Sequence, residues 1–514
     1  MRGGPTRTTG HPGTTRDAAP PPPDSFDRRL IAPMVLGSVL NPINSSMIAV
    51  ALVPIGTAFG APPAHTVWLV SALYLATAVG QPVIGRLVDM YGPRRLYLIG
   101  TALVGAAGLL GALAPTLGAL IGARVLLGFG TSAAYPAAMQ LTRREAERTG
   151  RDSPTGVLTA LAVANQTVAV VGPALGGLLI GIGGWRAVFT VNVPLSAACL
   201  VLGVSRLPRE RRTATARRDV DLPGMVLFAG MLVALMLFLM EPRADHWYLP
   251  LLAAATGAAF AVRELRVARP FVDLRVLGGN VPLLATYVRQ LLGYTTSYAF
   301  MYGYTQWLEE GRGLGATTAG LVLLPLSAAA LTVSALTGRR EAVRAKLVVG
   351  AAVQVVACAV LLLVGSGSPV WLLLMAGVVM GVPQGLIGLA NQNALYRQAD
   401  PARIASAAGL LRTFMYLGAL AASAATAGFF PHRADTAGLH GLALFMIAGS
   451  ALLLVSAVPG RSLAHLVHRN TGIPGNAETL GNTGTPGNTE TPGKTRKASD
   501  PWQSPPSTRV PPSS

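Results

Sequence analysis

The sequence predicts an all-α polytopic membrane protein, and three observations carry that prediction. Only 12% of the 514 residues are charged while 51% are hydrophobic, against about 25% charged in an ordinary soluble domain. The apolar residues gather in long intervals that hold no Asp, Glu, Lys or Arg. The basic residues fall between alternate intervals instead of being scattered. Mean hydropathy of +0.49 agrees, and together these exclude a soluble enzyme.

A helix needs about 20 mostly apolar residues to cross a hydrocarbon core roughly 30 Å thick. The stretch from Leu30 to Gly85 is uncharged, and the break at Gly60–Ala64 divides it into two spans. Further uncharged intervals follow at Leu96–Ala123, Val125–Thr142, Ser153–Trp185, Ala187–Ser205, Leu222–Met240 and His246–Val262. Asn280–Trp307, interrupted by Arg289, and Gly313–Gly338 supply two more. Leu347–Tyr396 holds a pair divided at Gly365–Pro369. Ile404–Phe430, interrupted by Arg412, and Thr436–Gly460 complete a set of fourteen predicted spans. His246–Val262 is the shortest of them.

With both termini cytoplasmic, nearly all Lys and Arg fall on the inside, as the positive-inside rule requires. The basic residues left on the other side are Arg186, Arg243, Arg312 and Arg433, and Arg124, Arg289 and Arg412 lie within spans. Shifting the count by one span destroys this alternation. The formal net charge of +19 therefore reads as orientation against the anionic leaflet of the cell membrane, not as a nucleic-acid surface. Residues 1–29 and 461–514 are rich in Pro, Gly, Thr and Ser. Such segments bury too little apolar surface to offset ordering entropy, so both are predicted to be disordered cytoplasmic tails.

The motifs resemble a family. After the second span comes GRLVDMYGPRR, Gly85 to Arg95, similar to the Gly-x-Leu-x-Asp-x-x-Gly-basic loop of the major facilitator superfamily. Gly85, Leu87, Asp89, Gly92 and Arg94 match; Met90 and Pro93 stand where basic residues are usual. The fourth span, LIGARVLLGFGTSAA, resembles the family's arginine motif through Arg124, Gly128 and Gly130, with Leu127 for the usual Gln. GPALGG in span five, with Gly172, Pro173, Gly176 and Gly177, is similar to the superfamily's antiporter motif. WRAVFTVNVP, DLPG, RPFVDLRVL and QWLE further resemble the fourteen-span drug:proton antiporter branch. That resemblance implies a six-helix bundle over 30–205, a basic loop and inserted helix pair over 206–278, and a second six-helix bundle over 279–460. It also implies gating by the Gly85–Arg95 loop and proton coupling through Arg124. Parallel halves of this kind enclose a midplane cavity opened alternately to each side.

The three intramembrane arginines are the sharpest chemical signals, since a charge at mid-span costs about 2.5–3.5 kcal/mol. Each admits two readings: a cavity or coupling charge, or a cation bonded to helix carbonyls in a packed bundle. No Asp or Glu lies near the centre of any predicted span. INSSMIAVALVP, Ile43 to Pro54, aligns with the branch's span-one motif, but Asn44 occupies its acidic position. An amide cannot bind and release a proton near neutral pH as a buried carboxylate can. Cavity-level positive charge without counter-charge favours a neutral or anionic guest over a dication. Candidate cavity residues are Asn41, Asn44, Gln166, Arg289, Gln306, Gln384, Asn391 and Arg412, each of which could equally be interhelical glue.

The expected function is secondary active export of amphipathic small molecules, of the drug or antibiotic type, with a proton gradient as energy source and no bound cofactor. The alternatives are a facilitator or uptake carrier of a neutral or anionic metabolite without proton coupling, and a polytopic membrane enzyme. Nothing supports the enzyme: the two cysteines, Cys199 and Cys358, sit in apolar runs, and no metal-ligand spacing or nucleotide-binding loop occurs. The expected partners are the lipid bilayer and a small-molecule substrate, with no nucleic acid and no obligate protein partner.

Overall fold

The computed structural model of the chain describes residues 26–458 except 67, 150–154, 210–220, 269, 339, 341 and 432. Nearly all of both predicted tails and most of the basic loop Arg206–Arg218 lie outside the described residues, as does Arg269 of the RPFVDLRVL motif. The described residues form helices and connecting turns, with no strand among them.

Each predicted span falls on a helix. The first set comprises α1 (Ile31–Phe59), α2 (Trp68–Tyr91), α3 (Pro93–Ala112), α4 (Leu117–Thr149), α5 (Thr155–Gly183) and α6 (Ala187–Arg206). Two further helices, α7 (Leu222–Met240) and α8 (Tyr248–Arg266), pack on each other. The last set comprises α9 (Val281–Gln306), α10 (Ala316–Thr337), α11 (Val343–Leu361), α12 (Val370–Gln398), α13 (Ile404–Phe429) and α14 (Thr436–Ala457).

Among the described residues, eleven helices are both long and apolar enough to cross a bilayer, or up to twelve with α5, whose segments Gly156–Val168 and Val171–Gly183 meet at 46°. Apolar length thus supports fewer crossings than the fourteen expected. The helices that fall short are α8, which ends in Arg263, Glu264 and Arg266, and α9, which carries Arg289, Gln290 and several tyrosines.

Helices suit a bilayer because every backbone group within them bonds internally. Polar side chains mark the helix starts: Thr116, Asp221, Asn280 and Asp435 each accept a backbone N–H three residues on, the usual N-cap geometry. The outer faces are apolar, with Val53 78%, Ile182 77% and Leu336 73% exposed. An aqueous surface would not carry such residues in bands, whereas lipid solvates them. The two sets meet chiefly where α13 runs along α2 and α4 and where α5 meets α10, and α7 lies against both α2 and α13.

Candidate functional site

One close approach between the two sets is built on the Gly85–Arg95 loop. Asp89, near the end of α2, accepts the backbone N–H groups of Ala405 at 3.0 Å and Ser406 at 2.9 Å, and the Ser406 hydroxyl. Both amides are in the first turn of α13, where free N–H groups and the helix dipole favour an anion. Gly85 lets the backbones meet: a Cβ there would lie 2.5 Å from the Ala405 carbonyl oxygen. Gly92, with φ +92°, turns the chain into α3, and Arg94 donates to the Val204 carbonyl of α6 at 3.0 Å. Further bridges lie toward the same end: Thr413 to the Ala78 carbonyl at 2.7 Å, and Arg143 over the Tyr396 ring at 5.8 Å.

Beyond this seal, from mid-helix toward the opposite end, lies a cavity of about 560 Å³ between the two sets. Asn41 and Ser45 of α1, Tyr74 of α2, Tyr135 of α4 and Gln166 and Pro173 of α5 line one side. Gln290, Tyr294, Tyr298 and Tyr302 of α9, Gln384 and Gln392 of α12 and Arg412 and Tyr416 of α13 line the other. At its floor Tyr416 donates to Asn41 Oδ1 at 2.9 Å, linking the sets. Among the described residues the lining contains no Asp or Glu.

The sequence candidates separate into three groups. Asn41, Gln166, Gln384 and Arg412 face the cavity, as does Pro173 of the antiporter motif. Asn44, Arg124, Arg289 and Asn391 are buried within helix packing and do not line it. Gln306 is exposed beyond the cavity. The three arginines therefore do not share one cavity, and the two readings open to each divide among them. Arg124 donates to the carbonyls of Leu69 at 2.8 Å and Asn44 at 3.3 and 3.4 Å. Arg289 donates to its own helix at Ala285, 3.0 Å, and to Thr286 Oγ1, 3.1 Å. Of the three, Arg412 alone is free of carbonyl partners among the described bonds and reaches the lining.

Asn44 forms a reciprocal amide pair with Asn192 of α6, at 2.6 and 2.9 Å. Asn391 is likewise held, donating to Gln290 Oε1 at 3.0 Å. In the antiporter motif, Gly172 and Gly176 pack on α1: a Cβ at Gly172 would overlap Ser46, and one at Gly176 would lie 2.9 Å from the Met47 carbonyl. Gly177 faces open space.

The tyrosine face of α9 is absent from the cavity candidates drawn from the sequence. Tyr294, Tyr298 and Tyr302 recur every four residues, and their rings form a ladder with centroids 6.0 and 5.5 Å apart. That spacing puts side chains on one helix face and was a usable signal. The pairing of Asn44 with Asn192 had none.

The model of the Major Facilitator Superfamily matches residues 34–423. This chain belongs to the major facilitator superfamily. Relatives in the superfamily include the Bacillus subtilis (strain 168) protein described as an uncharacterized MFS-type transporter, YwoD, 32% identical over 82% of this chain and 94% of that one. The lincomycin resistance protein of Streptomyces lincolnensis is 34% identical over 55% of this chain and 59% of its own length. The fold is that of solved superfamily members: the crystal structure of the human organic anion transporter MFSD10 superposes with a TM-score of 0.58 at 15% identity, covering 85% of this chain and all of that one. The chain is thus a multi-pass membrane transporter with relatives that confer antibiotic resistance.

Proposed function

We propose that this chain exports amphipathic small molecules, of the antibiotic or drug type, by alternating access. The observation that carries the reading is the cavity between the two helix sets, closed at one end where Asp89 caps α13 and extending toward the other. The proposal reads α1–α6 and α9–α14 as two bundles, α7 and α8 as an inserted pair, and all fourteen helices as crossings of the plasma membrane. Both termini and the Gly85–Arg95 loop are then cytoplasmic, and the described conformation is shut toward the cytoplasm. α9 falls short in apolarity because its tyrosine face lines the cavity instead of meeting lipid. The lincomycin resistance relative supports export as the direction.

The energy source in this proposal is proton influx, with Arg124 as the buried charge that the Asn44 carbonyl and α2 hold. A specific observation favours a second reading, facilitated flux without proton coupling: Asn44 is locked to Asn192, and no carboxylate lines the cavity among the described residues. Everted vesicles with an acidic interior and a pH-sensitive dye separate the two. If labelled amphiphile accumulates and discharges the gradient only with intact Arg124, export is proton-coupled. Equilibration without discharge selects the second reading, and no flux above empty-vector vesicles rejects both.

A further inference from the structure

We infer that the cavity is a site for aromatic anions, with Arg412 as the charge that selects them. The inference names the guest of the export reading and rests on that reading only for the claim that the guest is moved. Arg412 reaches the lining from α13 with its guanidinium 4.2 Å from the centroid of the Tyr135 ring. Its hydrogen-bond partners are the Met415 sulfur at 3.9 Å, a weak acceptor, and the Tyr135 hydroxyl. A guanidinium carries five N–H donors in a fixed fork that suits a carboxylate. No acidic side chain pairs with it among the described residues. Arg124 and Arg289, by contrast, have their donors engaged by carbonyls and a threonine hydroxyl.

The surroundings decide what kind of anion fits. Six tyrosines line the cavity, with Tyr74 and Tyr416 5.5 Å apart at the floor and the Tyr294–Tyr298–Tyr302 ladder rising along α9. Such faces stack on a planar ring. A tyrosine box alone would also attract a cation through its ring quadrupoles. Here the cation is already supplied, seated on Tyr135, and a full charge in a site of reduced dielectric dominates the quadrupoles. A second cation is repelled. An anion gains the guanidinium donors that Met415 and Tyr135 leave, while its ring lies against the tyrosines and its polar tail meets Gln166, Gln384 and Gln392.

The test uses three matched fluorescent probes on the full chain in phosphatidylcholine nanodiscs: dansylglycine, an anion; dansylglycinamide, neutral; and N-(2-aminoethyl)dansylamide, a cation. The expected order is dansylglycine at least tenfold tighter than the amide, with the cation weakest. In Arg412→Gln the anion and the amide should bind within about twofold of one another, and retained amide binding shows that the variant is folded. Arg412→Lys, which keeps the charge but not the fork, should hold an intermediate preference and serves if Arg412→Gln does not fold. A cation that binds wild type as tightly as the anion overturns the inference. So does an anion preference that survives in Arg412→Gln, or the absence of binding by all three. Vesicle flux separates this from the export reading. Arg412-dependent binding of dansylglycine without transport defeats export alone, whereas transport of the amide with no anion preference defeats the anion site alone.

Discussion

Gly172 and Gly177 belong to one motif, yet the structure gives them opposite surroundings. A methyl group at Gly172 would overlap both the Oγ and the Cβ of Ser46, so α1 and α5 must move apart. Overpacking of this kind costs about 1–3 kcal/mol. Gly177 has open space instead, and alanine there improves helix propensity by up to about 1 kcal/mol. Gly172→Ala is therefore expected to lower the thermal unfolding midpoint of the purified protein and to reduce transport, while Gly177→Ala leaves the midpoint unchanged or raised. Sequence identified both glycines but did not separate them, because the distinction depends on which face of α5 meets α1. The same limit explains the arginines. Their depth was legible from charge-free intervals, but whether a guanidinium finds a carbonyl or a cavity depends on helix rotation and on neighbours distant in sequence. Leu69 and Asn44, which hold Arg124, lie 55 and 80 residues from it.

At the scale of the helix, the contact of α2 with the first turn of α13 is the one on which closure turns in the proposed cycle. The Asp89 carboxylate is the right charge for a helix N-terminus, and capping plus dipole contributions of this type are worth about 1 kcal/mol. Loss of about 1 kcal/mol shifts a two-state equilibrium about fivefold. Asp89→Asn should therefore depopulate the conformation closed at this end. A cysteine at Ser297, which lines the cavity, would report it cleanly, since Cys199 and Cys358 are both buried. Labelling of Ser297→Cys from the outside by an impermeant maleimide should slow, by up to about fivefold, in the Asp89→Asn background; an unchanged rate would show that the cap does not set the equilibrium. This contact was half legible. Asp89 belongs to the loop that the family resemblance marks as a gate, but its partner, 316 residues on in Ala405, carries no local signal. The tyrosine ladder of α9 shows the reverse case: its four-residue spacing was readable and its ring contacts follow from it.

The all-helical architecture was legible at the scale of the molecule because the bilayer imposes it: intervals without charge became helices. The number of crossings is where apolarity and topology part. α8 and α9 are not apolar enough by composition, yet the alternation of basic loops expected from the sequence counts both. If both cross, Asp245, between α7 and α8, faces outside and Gly278, before α9, faces the cytoplasm; both residues are exposed. Cysteines at these positions should label from opposite sides of the membrane in intact cells and everted vesicles. Labelling of both from one side would remove α8 as a crossing. Such an outcome would also reverse the orientation assigned to everything after it.

The central claim is that one cavity serves both sides of the membrane. Its most direct test is the accessibility of Ser297→Cys in right-side-out and everted vesicles, with Asp245→Cys as the one-sided control. The account predicts that the impermeant reagent reaches Ser297→Cys from either face, and that locking the Asp89 end shut, by a cross-link between α2 and α13, abolishes labelling from the cytoplasmic face alone. Labelling from a single face in both preparations, unaffected by the cross-link, would contradict it.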